Sequence, residues 1–280
     1  CLTIKELKIN GTYLKKFNLS GKMIGDTLNH LLDLVIEDKI ENTQDSLLYE
    51  AENFIKEGIC VFGIDKNKPN NNEIEYFKCD IRNEEEIINI INEIKKKTDF
   101  IDYLINSAGI FCYKERNLIQ NLSKEEWQNV IDVNLTGTFL ITKYSIPLLK
   151  KSKSGSIINL SSEQVVLPQI KSAPYAITKA GIEMFSKILA FELMEAKVRV
   201  NTISLASVKT NFLKDYKKDE QVLEKMMEQT DKNMPFGIIK PYDVYKLVKY
   251  LVEENNKITG QTILIDSGVV LNVNKKKQGS

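Results

Sequence analysis

Two short strand-like runs, Ser156-Ile-Ile-Asn-Leu160 and Val198-Arg-Val-Asn-Thr-Ile-Ser204, flank a segment with helical patterning from Ala173 to Ala196. Strand-like and helix-like segments alternate in this way from about residue 44 onward. Such alternation predicts parallel β-α-β units. The run Ile59–Ile64 is almost continuously apolar, as in a parallel strand covered on both faces. We therefore predict an α/β fold, a doubly wound parallel sheet in a single domain, with ligands at the carboxyl ends of the strands.

The composition excludes several classes of partner. The 280-residue chain carries 39 Lys and Arg against 38 Asp and Glu, so no net field attracts nucleic acid or an anionic membrane. No apolar run reaches the roughly 20 residues of a membrane-spanning helix, and the start shows no signal-peptide pattern. Four cysteines without a Cys-x-x-Cys pair, together with one histidine, argue against a metal site. The sequence predicts a cytoplasmic protein with reduced thiols and no metal, nucleic acid or membrane partner.

The segment Tyr175-Ala-Ile-Thr-Lys179 opens a predicted helix. A spacing of four residues puts Tyr175 and Lys179 on one helical face, within reach of one another. Because an ordinary tyrosine has a pKa of about 10, its phenol is a poor base at neutral pH, and a nearby ammonium would lower that pKa. Lys179 could supply the charge. Alone, however, the pattern Tyr-x-x-x-Lys is common and also fits a solvated helix face.

Three further features converge on the same edge of the predicted sheet. Ser162 follows a predicted strand and lies 13 residues (175 − 162) before Tyr175, so its hydroxyl could hold a substrate carbonyl. Asn106-Ser-Ala-Gly109 follows the predicted strand Phe100–Ile105, and its small residues would let the backbone approach a nucleotide closely. Asn134 lies inside a predicted helix, where an amide is unfavourable and therefore indicates a specific hydrogen bond.

In this order the motifs resemble those of the short-chain dehydrogenase/reductase family, from about Gly58 to Leu271. The turn Asn106-Ser-Ala-Gly109 is similar to the family's Asn-Asn-Ala-Gly turn, with Ser107 in place of the second Asn. The other matches are Asp132-Val-Asn134-Leu-Thr-Gly137, Ser161-Ser162, Tyr175-x-x-x-Lys179, Arg199-Val-Asn201, Thr259-Gly-Gln261 and Asp266-Ser-Gly268. Each match alone is weak, and their common order makes the strong signal. The resemblance implies a Rossmann-like fold.

The resemblance also implies an oxidoreductase that interconverts an alcohol and a ketone with a nicotinamide cofactor. Tyr175 would act as general acid/base, and Lys179 would lower its pKa and bind the nicotinamide ribose. Ser162 would polarise and position the substrate oxygen. Asn134 would support a proton relay through water. The substrate would be a small carbonyl compound or alcohol, whose identity the sequence does not specify.

The implied cofactor contacts run along the same edge. Asp65, at the end of the second strand, would accept hydrogen bonds from the adenosine ribose hydroxyls. Its carboxylate would repel a 2′-phosphate, so we expect NAD(H) rather than NADP(H). Asp80 matches an acidic position near the adenine, and Thr210 matches a position that contacts the carboxamide. The remaining implied cofactor-binding residues are Asn106, Ala108, Gly109, Tyr175 and Lys179.

Two cofactor contacts of the family are altered in this chain. The glycine-rich turn, whose backbone N–H groups bind pyrophosphate, is absent. In one interpretation, Met23–Thr27 occupies the position of this turn. If Leu31–Ile36 is instead the first strand, the acidic segment Glu37–Asp45 occupies that position. Leu205-Ala206 replaces the usual Pro-Gly. The alternatives to altered dinucleotide binding are a catalytically impaired binding or scaffold subunit, a non-native N-terminal segment, and acid/base chemistry without hydride transfer.

The resemblance places the Rossmann-like domain at residues 21–271, with a lid predicted over residues 211–235. Residues 1–20 would be an N-terminal extension or a non-native start, and residues 272–280 a flexible tail. Relatives use the two long helices, predicted here at Ser123–Lys151 and Ala173–Ala196, for contacts between subunits. By analogy we expect a homo-dimer or homo-tetramer.

Overall fold

The computed structural model describes residues 60–66, 75–112, 114, 116–210 and 220–272. From Phe62 onward these residues belong to one compact unit. The strands are β1 (Phe62–Asp65), β2 (Glu75–Lys78), β3 (Tyr103–Asn106), β4 (Ser156–Ser162), β5 (Arg199–Leu205) and β6 (Thr262–Ile265). The helices are α1 (Glu84–Lys95), α2 (Lys124–Ile131), α3 (Gly137–Leu149), α4 (Ala173–Glu192), α5 (Glu220–Asn233) and α6 (Pro241–Lys249). The predicted N-terminal extension, residues 1–20, and the altered turn both lie outside the described residues.

All strand pairs in this part of the chain are parallel. Strand β1 pairs with β2, and the other four strands follow the order β3-β4-β5-β6. Parallel neighbours need crossover connections, and within the four-stranded sheet helices supply them: α2 and α3 between β3 and β4, α4 between β4 and β5, and α5 and α6 between β5 and β6. The predicted α/β fold with a parallel sheet is confirmed. Strand β2 is not predicted, because only Tyr76 and Phe77 are apolar between its charged ends.

Helices cover both faces of the four-stranded sheet. Ile157 packs with Leu189 of α4 on one face, whereas the next residue, Ile158, packs with Leu251 on the other. Both isoleucines are completely buried. Successive side chains of a strand point to opposite faces, so a strand with two adjacent buried isoleucines must be covered on both sides. Burial of each such side chain contributes about 1.5–3 kcal/mol.

The long predicted helix Ser123–Lys151 is one helical run with an irregular middle. Ser123 caps its start, where its side chain accepts a hydrogen bond from the backbone N–H of Glu126. Between α2 and α3, residues Asp132–Thr136 form a π-helical turn. Such a turn inserts an extra residue, and it turns one side chain away from the regular helix pattern. Asn134 is the buried residue of this turn.

Within the described residues, no helix is long and apolar enough to cross a membrane. That part of the chain also contains no group of three or more His, Cys, Asp or Glu side chains that could hold a metal ion.

Of the predicted lid, residues 211–219 lie outside the described part, and residues 220–233 form α5. Asn272, the first residue of the predicted tail, donates a side-chain hydrogen bond to the backbone carbonyl of Asn233 at 3.3 Å. Residues 273–280 lie outside the described residues.

Candidate active site

The candidate site lies where the carboxyl ends of β3 and β4 meet the first turn of α4. Ser162 is the last residue of β4, and Tyr175 is the third residue of α4, whose first turn contains Pro174. A Cβ atom placed on Gly109 would lie 3.2 Å from Oδ1 of Asn134 and 3.7 Å from Nζ of Lys179. The loop after β3, the π-helical turn and α4 therefore converge on one point.

Asn134 ties the loop after β3 to the helices. Its side chain is fully buried, and Oδ1 accepts a hydrogen bond from the backbone N–H of Ile110 at 2.7 Å. Nδ2 donates to the carbonyl oxygen of Ile110 at 2.9 Å and to Oγ1 of Thr178 at 3.1 Å. The specific hydrogen bond predicted for a mid-helix amide is confirmed. These bonds fix the loop against α4, so Asn134 positions the backbone of the site.

Lys179 places a nearly buried amine beside the phenol. Its Nζ lies 5.6 Å from the ring centroid of Tyr175, so the predicted shared face is confirmed. Nζ donates a hydrogen bond to the carbonyl oxygen of Leu160 at 2.9 Å. Burial lowers the pKa of Lys179 from 10.5 to about 8, since the ammonium loses its hydration in the protein interior.

The hydroxyl of Ser162 lies within hydrogen-bonding reach of the phenol of Tyr175. The pKa of Tyr175 is raised to about 12, mainly by burial; the nearby hydroxyl of Ser162 lowers it, and the charge of Glu163 raises it. The predicted lowering of this pKa by Lys179 is therefore not found, because the cost of burying a phenolate is the larger effect. At neutral pH the phenol keeps its proton and can donate it.

The loop after β3 covers the ring of Tyr175 and is tied to the loop before α4. Phe111 meets the ring of Tyr175 edge-on, with centroids 4.9 Å apart, and the guanidinium of Arg116 lies 4.7 Å from the centroid of Phe111. Arg116 also donates to the carbonyl oxygens of Ile170 at 2.7 Å and Lys171 at 3.1 Å. Arg116 thus links the loop after β3 to the loop before α4. Sequence reasoning missed this residue, because no motif marks it.

Comparison with known proteins identifies the family. The family profile described as enoyl-(acyl carrier protein) reductase matches residues 51–270. The 3-oxoacyl-[acyl-carrier-protein] reductase of Thermotoga maritima is 30% identical over 201 residues, which span 71% of this chain and 78% of the relative. The chain belongs to the short-chain dehydrogenase/reductase family. It is an enzyme of the oxidoreductase class.

Two solved structures of short-chain dehydrogenase/reductases share the fold. Aldohexose dehydrogenase of Thermoplasma acidophilum, solved in ligand-free form, superposes with a TM-score of 0.71 at 27% identity, covering 79% of this chain and 88% of that one. The 3-ketoacyl-(acyl-carrier-protein) reductase of Brucella melitensis, complexed with NADH, gives a TM-score of 0.67 at 25% identity, covering 78% and 91%. The Rossmann-like, doubly wound architecture predicted for this chain is confirmed.

In the segment Asn106-Ser-Ala-Gly109, one side chain points into the protein and others lie at the surface. Nδ2 of Asn106 donates to Oδ1 of Asn159 at 2.7 Å and to Oγ1 of Thr142 at 3.0 Å. The amide of Asn106 therefore points into the protein and is held by Asn159 and Thr142. Ala108 is exposed and Gly109 half-buried, so their backbone forms the accessible part of the turn. Sequence reasoning did not foresee the buried partner Asn159.

The remaining predicted cofactor residues lie at other strand ends of this short-chain dehydrogenase/reductase. Asp65 is the exposed last residue of β1, and its carbonyl oxygen accepts from the N–H of Cys79 at 2.9 Å, which holds the ends of β1 and β2 together. The carboxylate of Asp80 pairs with the guanidinium of Arg82 at 2.5 Å, and this bond lowers the pKa of Asp80. Thr210 is exposed, five residues beyond the end of β5.

The segment Leu205-Ala206 continues the sheet. The N–H of Ala206 donates to the carbonyl oxygen of Ile265 at 3.0 Å, and its side chain is nearly buried. A proline at position 205 and a glycine at position 206, the usual pair of the family, would leave this N–H bond possible. The replacement therefore changes side-chain volume at these two positions, where Ala206 packs with Met234 and Ile239, and leaves the strand pairing intact.

Proposed function

We propose that this oxidoreductase interconverts an alcohol and a ketone with NAD(H), and that Tyr175 is its general acid/base. The observation that carries the proposal is the placement of the Ser162 hydroxyl within reach of the Tyr175 phenol, with the buried amine of Lys179 lying 5.6 Å from the centre of the phenol ring. Two hydroxyl groups at one point can both donate to a carbonyl oxygen. A buried amine beside them stabilises a phenolate that forms during proton transfer.

In the direction of reduction, the substrate oxygen accepts hydrogen bonds from Ser162 and Tyr175. The nicotinamide, when bound, supplies the hydride that adds to the carbonyl carbon. As negative charge develops on the oxygen, Tyr175 transfers its proton there and becomes a phenolate. The ammonium of Lys179 stabilises that phenolate until a proton from solvent restores the phenol. Oxidation of the alcohol runs through the same steps in reverse.

The residues present fit a nicotinamide cofactor. Lys179 has a hydrogen bond to Leu160 and further N–H donors on the same ammonium, which suits a ribose hydroxyl. The accessible backbone of Ala108 and Gly109 lies near it, because a Cβ on Gly109 would already approach Nζ of Lys179 to 3.7 Å. The NADH bound to the related reductase of Brucella melitensis supports the same class of cofactor here.

The function is tested with the purified chain, NADH and a panel of small ketones. We expect binding of NADH, measured by its fluorescence, and consumption of NADH when a ketone is added. If neither NADH nor NADPH binds, the proposal fails and a role as a binding or scaffold subunit takes its place. Turnover of a substrate without any change in nicotinamide absorbance would instead indicate non-redox acid/base chemistry.

The preference for NAD(H) over NADP(H) rests on the exposed carboxylate of Asp65 at the end of β1. We expect Asp65→Ala to raise the ratio of kcat/KM with NADPH to kcat/KM with NADH by about tenfold or more, since removal of the repulsion changes the binding free energy by at least ~1.4 kcal/mol. Steady-state kinetics with both cofactors measure it. Asp99→Ala is the matched control, because Asp99 is an exposed carboxylate at the amino end of β3. An unchanged ratio in Asp65→Ala would contradict the assignment.

We further propose that a second copy of the chain covers one face of α4. Four apolar side chains on that face are exposed by 46%, 57%, 51% and 77%, namely Ile177, Met184, Ile188 and Phe191. Their spacings of seven, four and three residues place them along one stripe. A continuous apolar stripe on a helix of this length is typical of a contact between subunits.

The double variant Ile188→Glu with Phe191→Glu is expected to lower the molar mass of the assembly, because two carboxylates in an apolar contact cannot be hydrated. Light scattering coupled to size-exclusion chromatography measures the mass. Asn92→Glu, on the exposed face of α1, should leave the mass unchanged. A wild-type chain that elutes as a monomer would overturn the proposed homo-dimer or homo-tetramer.

We also propose a cytoplasmic location, which the cysteines support. Cys60, Cys79 and Cys112 are free thiols. Burial raises the pKa of Cys79 and of Cys112 to about 11, so both stay protonated and weakly nucleophilic at physiological pH. Unpaired, unreactive thiols are typical of proteins in a reducing compartment.

A further inference from the structure

Arg116 joins two parts of the chain that adjoin Tyr175. Its guanidinium carbon lies 4.7 Å from the centroid of the Phe111 ring, and that ring meets the ring of Tyr175 edge-on, with centroids 4.9 Å apart. Its Nη2 and Nε groups donate to the carbonyl oxygens of Ile170 at 2.7 Å and Lys171 at 3.1 Å. These carbonyls lie in the loop directly before α4. One guanidinium therefore connects the ring that packs on the phenol to the backbone that leads into its helix.

The carbonyls that accept from Arg116 flank a backbone position of unusual geometry. Lys171 has a φ of 63°, in the left-handed region that a residue with a side chain adopts at a cost. The carbonyls of Ile170 and Lys171 stand on either side of the Cα atom of Lys171, so hydrogen bonds to both hold this conformation. Ser172 follows as the buried N-cap position of α4, and Tyr175 is the third residue of the helix. The contact with Arg116 thus fixes the direction in which α4 starts.

The loop that carries Phe111 is also anchored on its other side. Asn134 binds both the N–H and the carbonyl of Ile110, at 2.7 and 2.9 Å. The N–H of Lys114 donates at 2.7 Å to Oε2 of Glu126, a residue that is only 3% exposed. Hydrogen bonds to a carboxylate are among the stronger ones in proteins. The Phe111 ring therefore lies on a loop whose backbone is held in place, and its contact with the phenol has a defined geometry.

The arrangement depends on the shape of an arginine side chain. A guanidinium is planar, with N–H donors in its plane and a face that can rest on an aromatic ring. Arg116 uses both features, since its edge donates to two successive carbonyls while the group lies over Phe111. A lysine ammonium carries the same charge but has no such plane, so it cannot make the three contacts in this arrangement. The link between the two loops therefore requires the shape of the guanidinium and not its charge alone.

We propose that Arg116 is a positioning residue for the proton transfer by Tyr175. It holds Phe111 against the phenol ring and fixes the turn before α4, so that the hydroxyl stays aligned with the substrate oxygen. Arg116 acts through these two contacts and not by touching the reacting atoms. A general acid must lie within hydrogen-bonding reach of its acceptor, and a misplacement of about 1 Å can lower a rate about 10²-fold. The inference rests on the proposed role of Tyr175 and adds the group that orients it.

Arg116→Met is expected to lower kcat for ketone reduction with NADH by about tenfold to a hundredfold, because the phenol loses its fixed orientation. The Kd for NADH, measured by its fluorescence, should stay within about twofold of the wild-type value, since the variant changes orientation and not ground-state binding. Arg116→Lys keeps the charge and should restore only part of kcat, leaving it at least about threefold below the wild type.

Lys114→Met is the matched control for the lost charge. It removes a cation from the same loop, where Nζ of Lys114 pairs with Glu125 at the surface, the two side chains being 60% and 59% exposed. Such a surface pair contributes little, so the variant should keep the wild-type kcat. A kcat within about threefold of the wild type for Arg116→Met, or a full kcat for Arg116→Lys, would overturn the proposal.

Phe111→Leu provides a second, independent variant. It removes the ring that both Arg116 and Tyr175 contact, so it should also lower kcat by about tenfold. In the double variant Arg116→Met with Phe111→Leu, the loss should be smaller than the product of the two single losses, because residues in contact that act on one group are not additive. A loss equal to the full product would show that Arg116 does not act through Phe111 and would overturn the proposal.

A measurement without turnover separates this inference from the proposed function. The chain is labelled with 3-fluorotyrosine, and the fluorine resonance of Tyr175 is identified as the one that Tyr175→Phe removes. Arg116→Met should shift this resonance, and Lys114→Met should not. An unshifted resonance in Arg116→Met would overturn the positioning role even if ketones are reduced. A shifted resonance would support that role, and if the wild type then reduced no ketone, only the proposed redox function would fall.

Discussion

Tyr175→Phe is expected to lower kcat for the NADH-dependent reduction of a ketone by about 10²–10⁴-fold, the contribution of a positioned general acid. The variant removes the hydroxyl that transfers the proton and keeps the ring, which packs edge-on against Phe111 at 4.9 Å. The fold should therefore survive the change. Steady-state kinetics, with NADH binding measured in parallel, show whether chemistry alone is lost.

The control for this prediction is Tyr245→Phe, since Tyr245 is 49% exposed on α6. That variant should keep the wild-type kcat. If Tyr175→Phe retained kcat within about threefold of the wild type, the proton would have to come from another group, and the assignment of Tyr175 would be wrong. Because the pKa of Tyr175 is raised to about 12, its ionisation should not reduce the rate of ketone reduction between about pH 6 and 9.

Lys179→Met is expected to lower kcat by about 10²-fold or more and at the same time to stabilise the fold. The activity falls because the phenolate loses the ammonium that stabilises it. The stability rises because burial of the ammonium is costly: it shifts the pKa of Lys179 from 10.5 to about 8. A pKa shift of this size means that the buried ammonium lowers the free energy of unfolding by at most ~3 kcal/mol. Loss of the hydrogen bond to Leu160 removes about 1 kcal/mol of the stabilisation gained by the variant. The free energy of unfolding of the variant is therefore expected to be about 1–2 kcal/mol higher than that of the wild type at pH 7.

The sign of the pH dependence provides an independent check. Between pH 8 and 10.5 the unfolded chain binds the proton of Lys179 and the folded chain does not, so the stability of the wild type rises over this window. The gain from Lys179→Met is therefore largest below pH 8 and shrinks towards pH 10.5. Denaturant unfolding at several pH values measures it, with Lys187→Met on the exposed side of α4 as the control. A less stable Lys179→Met variant at pH 7 would contradict this account of Lys179.

Much of the fold can be predicted from the sequence, because apolar side chains follow different patterns in parallel strands and in amphipathic helices. The predicted strands Ser156–Leu160 and Val198–Ser204 agree with β4 and β5 to within two residues. Strand β2 could not be predicted in this way, because its pairing with β1 depends on long-range contacts and not on a local apolar run. The π-helical turn at Asp132–Thr136 also cannot be read from periodicity, although its buried amide can be suspected.

The site is predictable in its residue types and less so in its energetics. The proximity of Tyr175, Lys179 and Ser162 follows from helix spacing and strand order. The direction of the pKa shift of Tyr175 does not, since it depends on how far burial outweighs a neighbouring charge. The burial of the Glu163 and Gln164 side chains is likewise a property of the packed structure. The altered pyrophosphate turn, between residues 20 and 46, lies outside the described residues.

The most direct test of the central claim follows deuterium from NADH labelled at both C4 positions of the nicotinamide ring. The chain is incubated with this NADH and each of a panel of small ketones, and the products are analysed by mass spectrometry. The account predicts one deuterium at the carbon that was the carbonyl, and at least about a hundredfold less labelled product when Tyr175→Phe replaces the wild type over the same time. Absence of label in the product from the folded wild-type chain, with NADH and with NADPH and across a panel of ketones, would contradict it.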